Sequence, residues 1–589
     1  MKLNLDYYNK KESKLKKTDE DMIENYINQF NETEYEKKMK NQIKTKNLRH
    51  LTTISQNILN WYPFEEDASI LEIGGNFGEL TGLLCKKAKK VVTIENNIKK
   101  AKAIAKRNEK VENLEIIVGE FNDIQISEKF DYITLIGSLP YISKANKQSS
   151  KEFIKRLDNL LKPEGKLLIA VDNQFGIKYF VGNAEPYLEK KFVGLLNYNN
   201  EENKIETYTR QKLIKILDEN GYKSKNFYYP LPDYRMPNVI FSDLELPKYN
   251  SIDKYMPYYT EKSDILVNEI DLFREILKTD DKLFTFFANA YLVEASKVEN
   301  PLLYKYISYN NMRKPEYRLI TKIGKEYVEK EKVDENANKH YEQVKENINL
   351  LKNRGIKTLD EIENEKIKSL YINQEKLLSN VLVKKLEENK IEEFYEIIDN
   401  YCDTLKKSSE KINENQKTIF DDYQIEITEE QKENLTFLKD GLWDMTFKNC
   451  FFIDNDFYFF DQEWKDENLP LEYILYRSIM YTISLRRYIN IQEILKRYNL
   501  EQYIDVFKKL DEKMQEKIRD KEIWEYYSEN HSFNIDETKQ EMINMQIRDK
   551  AKDLCIENLQ KKTELLENMK MTSIIKSKVK KYIRRKNNE

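Results

Sequence analysis

At 589 residues the chain is too long for one hydrophobic core and is expected to divide into two or three domains of roughly 100 to 250 residues. Charged residues make up 34% of it while the formal net charge is only −3, so no overall basic excess marks nucleic acid as a partner, and nucleic acid is set aside. The cysteines Cys85, Cys402, Cys450 and Cys555 have neither metal nor disulfide spacing, the N-terminus carries no apolar leader, and no run approaches the ~20 apolar residues of a membrane span, so a cytoplasmic location is expected.

Residues 1–17 are polar and read as loose. Apolar residues at helical spacing predict helices over Glu20–Phe30 and Gln42–Trp61, and residues 1–60 are expected to pack ahead of the first strand. From Ser69 the pattern alternates. Strands are predicted over Ser69–Ile73, Lys90–Glu95, Leu114–Val118, Phe130–Ile136 and Lys166–Val171, with helices starting at Gly78 and spanning Ile98–Asn108 and Lys151–Leu161. Such alternation predicts an α/β, Rossmann-like parallel sheet covered on both faces. Helix Gln211–Glu219 follows, then strands Ser224–Tyr229 and Phe284–Glu294, expected as an antiparallel edge hairpin with residues 230–283 inserted in its connection. The first domain so drawn spans 61–297. Beyond it, Arg318–Ile323 and Glu326–Lys332 read as strands and Ala337–Leu351 as a helix, within a second domain over 298–520.

The stretch Ile70 to Thr81, Ile-Leu-Glu-Ile-Gly-Gly-Asn-Phe-Gly-Glu-Leu-Thr, is a strand, a tight glycine turn and a helix start. Gly74 and Gly78 let the main chain pass close beneath a ligand, whose polar groups then meet unpaired N–H groups at the helix start. Glu95 ends the next strand about 20 residues on, where a carboxylate can accept both hydroxyls of a ribose. The series continues through Gly119-Glu120-Phe121, Phe130 to Gly137, and Leu160 to Leu168 with the turn Pro163-Glu164-Gly165. Together these stretches resemble the class I S-adenosylmethionine-dependent methyltransferases. The resemblance implies S-adenosylmethionine as cofactor, framed by Glu72, Gly74 and Gly78, with Glu95 on the ribose, the Glu120-Phe121 loop meeting adenine, and Gly137 ending the fourth strand of the site. The family's middle glycine is Asn76 here, a residue that tolerates left-handed angles but whose side chain would crowd a ligand. Methyl transfer needs an in-line approach at short range and, for a hydroxyl acceptor, a proton acceptor. In Ala170 to Phe180, Asn173 and Lys178 are candidates for positioning an anionic or polyhydroxyl acceptor, and Tyr228 to Pro237, tyrosines interleaved with Pro230, Pro232 and Pro237, suits a rim or lid.

A second constellation lies downstream. Asp444, then Asn449, then Asp461 at the end of the apolar run Phe457 to Phe460 could surround magnesium phosphates, Asp444 orienting the attacking hydroxyl while Asn449 and Asp461 ligate the metal. This arrangement resembles the catalytic and metal-binding loops of kinase-like phosphotransferases, those acting on small molecules and lipopolysaccharide more than the protein kinases. The resemblance implies an α+β kinase-like domain using ATP and Mg, with Lys330 as the phosphate-contacting lysine, Lys332 as a near competitor, and Glu342 or Glu346 as its ion-pair partner. Leu442 stands where the family has a histidine, and Lys322-Ile323-Gly324-Lys325 is a poor glycine-rich phosphate loop.

Residues 521–589 read as a helical C-terminal region. An irregular apolar stripe, Met542, Met545, Ala551, Leu554, Leu559, Leu565 and Leu566, suits a coiled coil or a helical hairpin. Ile575, Val579, Tyr582 and Ile583 then form one face amid Lys576, Lys578, Lys580, Lys581, Arg584, Arg585 and Lys586, so that residues 574–586 suit an anionic membrane surface. The whole order is similar to the bifunctional methyltransferase-kinases that cap bacterial surface polysaccharides. That similarity implies a glycan or lipid-linked glycan acceptor, glycosyltransferases as partners, and a peripheral place at the inner membrane face. An RNA or protein methyltransferase with a pseudokinase, and a noncatalytic glycan-assembly scaffold, are the alternatives.

Overall fold

The computed structural model describes residues 1–9, 19–30, 35, 45–141, 149–198, 205–260, 263, 265–412, 417–523, 525, 556, 559–563 and 572–584. Fourteen strands join in one sheet: β1 (Lys2–Asn4), β2 (Ser69–Ile73), β3 (Lys90–Glu95), β4 (Leu114–Val118), β5 (Phe130–Ile136), β6 (Leu161–Asp172), β7 (Ser224–Leu231), β8 (Val239–Ser242), β9 (Ala290–Ser296), β10 (Tyr304–Tyr309), β11 (Leu319–Gly324), β12 (Tyr327–Lys332), β13 (Asp360–Glu363) and β14 (Lys366–Leu370). Their spatial order is β1-β4-β3-β2-β5-β6-β9-β7-β8-β10-β11-β12-β14-β13. The pairs from β1 to β6 are parallel, and every pair from β6–β9 onward is antiparallel.

The parallel half forms because its strands are nearly continuous apolar runs, as a sheet covered on both faces requires. Helices Thr81–Lys87 and Ile98–Arg107 bury Leu84 and Ile104 against one face, with Trp61 from the N-terminal segment. Helices Ser150–Asp158, Arg210–Glu219 and Glu269–Thr279 bury Phe153, Leu217 and Phe273 against the other. Each such fully buried side chain contributes roughly 1.5–3 kcal/mol. Polar residues start these helices: Asn97 accepts from the backbone of Lys99 and Lys100, and Ser149 with Glu152 forms a reciprocal capping box.

Four expectations change. Lys2–Asn4 is not loose but pairs in parallel with β4, its apolar Leu3 opposite Ile116. The stretch expected as one helix over Gln42–Trp61 is, where described, a helix Thr45–Leu51, a 3₁₀ turn Thr53–Gln56 capped by Thr52, and a short helix Asn57–Asn60. The pair β7 and β9 is antiparallel as expected but is not an edge, because β8, inside the expected insertion, pairs with β7 and β10 pairs with β8. The expected strand over Phe284–Glu294 begins later, after a helical turn at Phe284–Phe287. The two expected domains therefore share one sheet, and residues 1–527 form one compact unit.

The rest of that unit is helical with two small two-stranded antiparallel sheets, β15 (Phe437–Leu442) paired with β18 (Lys465–Pro470), and between them in the chain the hairpin β16 (Cys450–Ile453) and β17 (Asp456–Phe459). They share a core with helices Leu378–Glu387, Ile391–Lys407 and Leu471–Tyr481, in which Tyr401, Trp443 and Phe447 are buried. Cys85, Cys402 and Cys450 are buried thiols, Cys85 and Cys402 pushed up to about 12 by desolvation.

A second unit spans residues 528–589. Within it residues 572–584 are helical, and Ile574, Ile575, Val579, Tyr582 and Ile583 are each at least half exposed. Of the expected apolar stripe, Met542, Met545, Ala551, Leu554, Leu565 and Leu566 lie outside the described residues, as do Cys555, Arg585 and Lys586.

Candidate functional site

The glycine turn leaves the carboxyl end of β2 and enters helix Thr81–Lys87. Gly74 has φ +84°, and its N–H donates to Ile94 O at 2.9 Å. A Cβ on Gly74 would stand 2.9 Å from the Ser138 Cβ, and one on Gly75 would stand 2.4 Å from the Thr93 Cγ2, so neither position has room for a side chain. Asn76 adopts φ +49°; its side chain donates to Glu79 Oε1 at 2.9 Å and its N–H donates to Glu95 Oε2, also at 2.9 Å. The expected crowding by Asn76 is thus diverted along the turn, toward Glu79. The N–H of Gly78 closes the turn on Gly75 O at 2.8 Å.

Glu72 and Glu95 flank this turn from β2 and β3. Glu72 accepts from the Thr81 and Thr93 hydroxyls at 2.7 and 2.8 Å, and desolvation still pushes its carboxyl up to about 7. Burial likewise raises Glu95, which accepts from the backbones of Asn76 and Asn97. Glu120 is exposed and accepts from Asn96 Nδ2 at 3.0 Å. Phe121 is buried beside Phe153 and beneath the Arg156 guanidinium, 4.5 Å from its ring centre. Gly137 ends β5 with φ +75°; a Cβ there would stand 2.6 Å from the Tyr234 hydroxyl, so the absent side chain lets Tyr234 approach.

The glycine turn borders a cleft open to solvent and lined by Glu72, Gly74, Asn76, Thr134, Tyr234 and Arg235 among others. Two buried hydroxyls beside the turn, Thr134 Oγ1 and Ser138 Oγ, have no hydrogen-bond partner among the described residues. A glycine cradle with no space for a Cβ, two orphaned hydroxyls and a strand-end carboxylate fit S-adenosylmethionine.

Asn173 and Lys178 lie at the end of β6. Asn173 donates to Phe286 O and Ala288 O at 2.6 and 2.8 Å and accepts from the Phe175 N–H, so its amide ties its own turn to the segment before β9. Lys178 is buried between Asp172, at 2.7 Å, and Asp233, at 3.0 Å. Arg235 pairs with the same two carboxylates, and Tyr258 donates to Asp233. Burial alone would raise both acids, but Lys178 and Arg235 hold them below the usual carboxylate range. Two acids and two bases thus balance in a closed network that fixes the Asp233-Tyr234-Arg235 loop at the cleft. Sequence reasoning singled out this segment only as a rim; Asp233, Tyr234, Arg235 and Glu79 carried no periodic or motif signal beyond the proline-rich setting.

In the other half, Asp444 follows β15, Asn449 precedes β16 and Asp461 follows β17. The structure gathers them: Asn449 Nδ2 and Gln462 Nε2 both donate to Asp444 O at 3.1 Å, and the Phe460 N–H donates to Asn449 O at 3.1 Å. Desolvation pushes the Asp444 carboxyl up to about 6, reinforced by Glu463 and opposed by Arg477, whose Nη2 stands 4.0 Å away. Asp461 sits at φ +59°, its N–H donating to Asp360 Oδ2 at 2.8 Å.

Lys330, on β12, forms ion pairs with Asp461 and Glu463. The helical partners expected for it are occupied elsewhere, Glu342 with Lys345 at 2.9 Å and Glu346 with Gln343 at 3.2 Å; Lys332 pairs with Glu335 at 3.1 Å. The helix Asn338–Asn353 instead presents His340, 3.6 Å from Glu463 and stacked on Trp464. Glu463, which also binds Arg313, is the residue sequence reasoning missed; it stands two places past Asp461. Among the described residues no three His, Cys, Asp or Glu side chains converge as a metal site.

Comparison with known proteins decides the first half. A sequence profile described as a methyltransferase domain matches residues 39–224. A protein of Staphylococcus carnosus described as an uncharacterized methyltransferase is 30% identical over 166 residues, 28% of this chain and 74% of the relative. The chain belongs to the S-adenosylmethionine-dependent methyltransferases. A ribosomal RNA small subunit methyltransferase A of Borreliella burgdorferi is 23% identical over 207 residues, 35% of this chain and 64% of that protein. A probable enzyme of the same name from Methanosarcina acetivorans is 38% identical over 73 residues, 12% of this chain. The chain spans 26% of the length of that archaeal relative. All these matches leave much of this methyltransferase chain uncovered. Its strand order β4-β3-β2-β5-β6-β9-β7, with β9 antiparallel between two neighbours, places the glycine turn at the point where the order reverses, where open α/β sheets bind ligands.

Proposed function

We propose that this methyltransferase acts in bacterial surface glycan assembly, methylating a sugar or sugar phosphate, and that residues 298–520 form a kinase-like phosphotransferase that phosphorylates the same glycan. The observation that carries the second activity is the meeting of Lys330, from the third of five antiparallel strands, with Asp461, beside Asp444 and Asn449. The strand order β10-β11-β12-β14-β13, with helix Asn338–Asn353 after β12, supports the same reading. In it Lys330 contacts phosphates of ATP, Asn449 and Asp461 supply an amide and a carboxylate oxygen to Mg, and Asp444 takes the acceptor hydroxyl's proton. A magnesium ion held by one or two protein oxygens plus phosphates suits that donor pair.

At the first site S-adenosylmethionine supplies an electrophilic methyl group on a sulfonium. Glu95 would hold the ribose, Glu120 and Phe121 would border the adenine, and the turn Gly74–Gly78 would receive the methionine portion. Asn173 and Lys178 act by position, Lys178 holding the loop that carries Tyr234 and Arg235. A phosphate oxygen already bears negative charge and needs no base to lose a proton, which suits a site whose acids around Lys178, Asp172 and Asp233, are committed to ion pairs. The helix over 572–584, with Lys576, Lys578, Lys580, Lys581 and Arg584 around its exposed apolar residues, would lie on an anionic membrane from the cytoplasmic side, near glycosyltransferase partners. Among the described residues no helix is long and apolar enough to cross a membrane.

Calorimetry of the full chain tests both sites: one S-adenosylmethionine and one magnesium ATP bound per chain are expected, and no heat with a ligand removes the corresponding half. The ribosomal RNA relatives favour RNA as a second acceptor reading. Transfer of labelled methyl to small-subunit ribosomal RNA, with none to lipid-linked glycan, would replace the glycan by RNA. For the tail, liposome flotation with and without residues 570–589 is the check, and equal recovery removes the membrane claim.

A further inference from the structure

The helix Thr45–Leu51 closes one side of the methyltransferase cleft, and its Arg49 lines that cleft together with Gly74, Gly75, Asn76 and Tyr234. The next residue fixes the helix. His50 Nδ1 binds Glu79 Oε1, its ring lies 5.2 Å from that of Phe77, and its carbonyl accepts from Arg107 Nη1 at 2.8 Å. Glu79 is held down at about 2: burial opposes this, and His50, Arg49 and Arg107 outweigh it. Arg49 itself makes no hydrogen bond or ion pair within the described residues, although it is partly buried. Arg235, the other guanidinium at this cleft, is committed to Asp172 and Asp233. A positioned, unpaired guanidinium inside a cleft selects an oxyanion, which a fork of N–H donors binds in bidentate fashion. Such a group could come from the cofactor or from an acidic acceptor. The cofactor is favoured because the orphaned Thr134 hydroxyl and the glycine turn line the same cleft as Arg49, whereas the residues assigned to the ribose and adenine, Glu95 and Glu120, do not line it.

We infer that Arg49 binds the carboxylate of the methionine portion of S-adenosylmethionine, so that the N-terminal helix is part of the cofactor site. This rests on the methyltransferase reading of the first site and adds a cofactor-binding residue outside the glycine turn. The test is calorimetry on the full chain with two ligands, S-adenosylmethionine and its decarboxylated analogue, for the wild type and for Arg49→Met and Arg49→Lys. Arg49→Met is expected to weaken S-adenosylmethionine roughly ten- to hundredfold and to leave the decarboxylated analogue unchanged, with Arg49→Lys recovering part of the loss. Equal weakening of both ligands would mean a structural role and overturn the inference. So would unchanged S-adenosylmethionine affinity, including the case in which Arg49→Met loses only binding of a phosphorylated acceptor. A wild type that binds neither ligand would instead defeat the cofactor-site reading itself, an outcome distinct from the others.

Discussion

The two candidate sites treat their acidic residues in opposite ways. At the glycine turn, Glu72 and Glu95 are solvated only by hydroxyls and backbone N–H groups, and burial raises both. Around Lys330, the buried Glu463 pairs with the cations Arg313 and Lys330, with His340 3.6 Å away, and is held well below the usual range even though burial opposes it. A carboxyl met only by neutral donors keeps oxygens open to a ligand's hydroxyls. One enclosed by cations stays charged and spends its oxygens on holding the cations in place. The first arrangement suits recognition of a polar neutral group such as a ribose, the second suits holding Lys330 where phosphate charge would arrive.

That contrast can be broken from either side. The largest effect is expected from Asp444→Asn, which removes the proposed proton acceptor and should lower phosphotransfer by about 10²–10⁴-fold while methyl transfer is retained. In the unsubstituted chain the same carboxyl must be ionised, so phosphotransfer should rise with pH toward about 6 and level off above it. Radiolabelled phosphate transfer reads both, and a flat pH profile or an active Asp444→Asn protein would remove Asp444 from that role. Next in size is Lys178→Met. It leaves Asp172 and Asp233 sharing Arg235 alone in a buried setting and should cost about 3–5 kcal/mol in chemical denaturation; a loss under about 1 kcal/mol would show the network to be slack. The smallest is Glu72→Gln. Folded Glu72 binds its proton more tightly than the unfolded chain between pH 4.5 and about 7, so the native state loses stability as pH rises through that window. At about 1.36 kcal/mol per unit the carboxylate costs roughly 3 kcal/mol above pH 7 and nothing below 4.5. Glu72→Gln should therefore gain on the wild type as pH increases, and a difference independent of pH would refute the assignment.

Much of the parallel half could be read from the sequence because its information is local. The apolar runs at Ser69–Ile73 and Lys90–Glu95, the turn glycines and the strand-end Glu95 each announce themselves within a few residues, and the strand bounds agree to the residue at both. Asp444, Asn449 and Asp461 were also legible as a group, since short loops flanking one hairpin bring them together. What escaped notice depends on long-range pairing. The seam between β8 and β10 joins residues about 65 positions apart through the pairs Tyr306–Phe241 and Ser308–Val239, and no periodicity encodes such a choice of neighbour. A sequence rule places the partner of Lys330 on the adjacent helix. The structure supplies Glu463 from 133 residues away, and the helix contributes a histidine. Asn76 likewise looked obstructive because its own rotamer could not be read, whereas Glu79 one turn on draws it aside.

The shared sheet has a mechanical consequence. Domains joined by a flexible linker can swing one active site toward the other, carrying a bound acceptor between them. Here the hydrogen-bonded seam of β7, β8 and β10 runs through the join, and Asn311 ties it further by donating to Pro237 O at 3.2 Å and accepting from Asn57 at 2.8 Å. There is no hinge to bend at that place without breaking strand pairs. If both sites work on one acceptor, the acceptor's own end must let go, travel and rebind, so its flexibility, and not the enzyme's, would set the pace of the second modification.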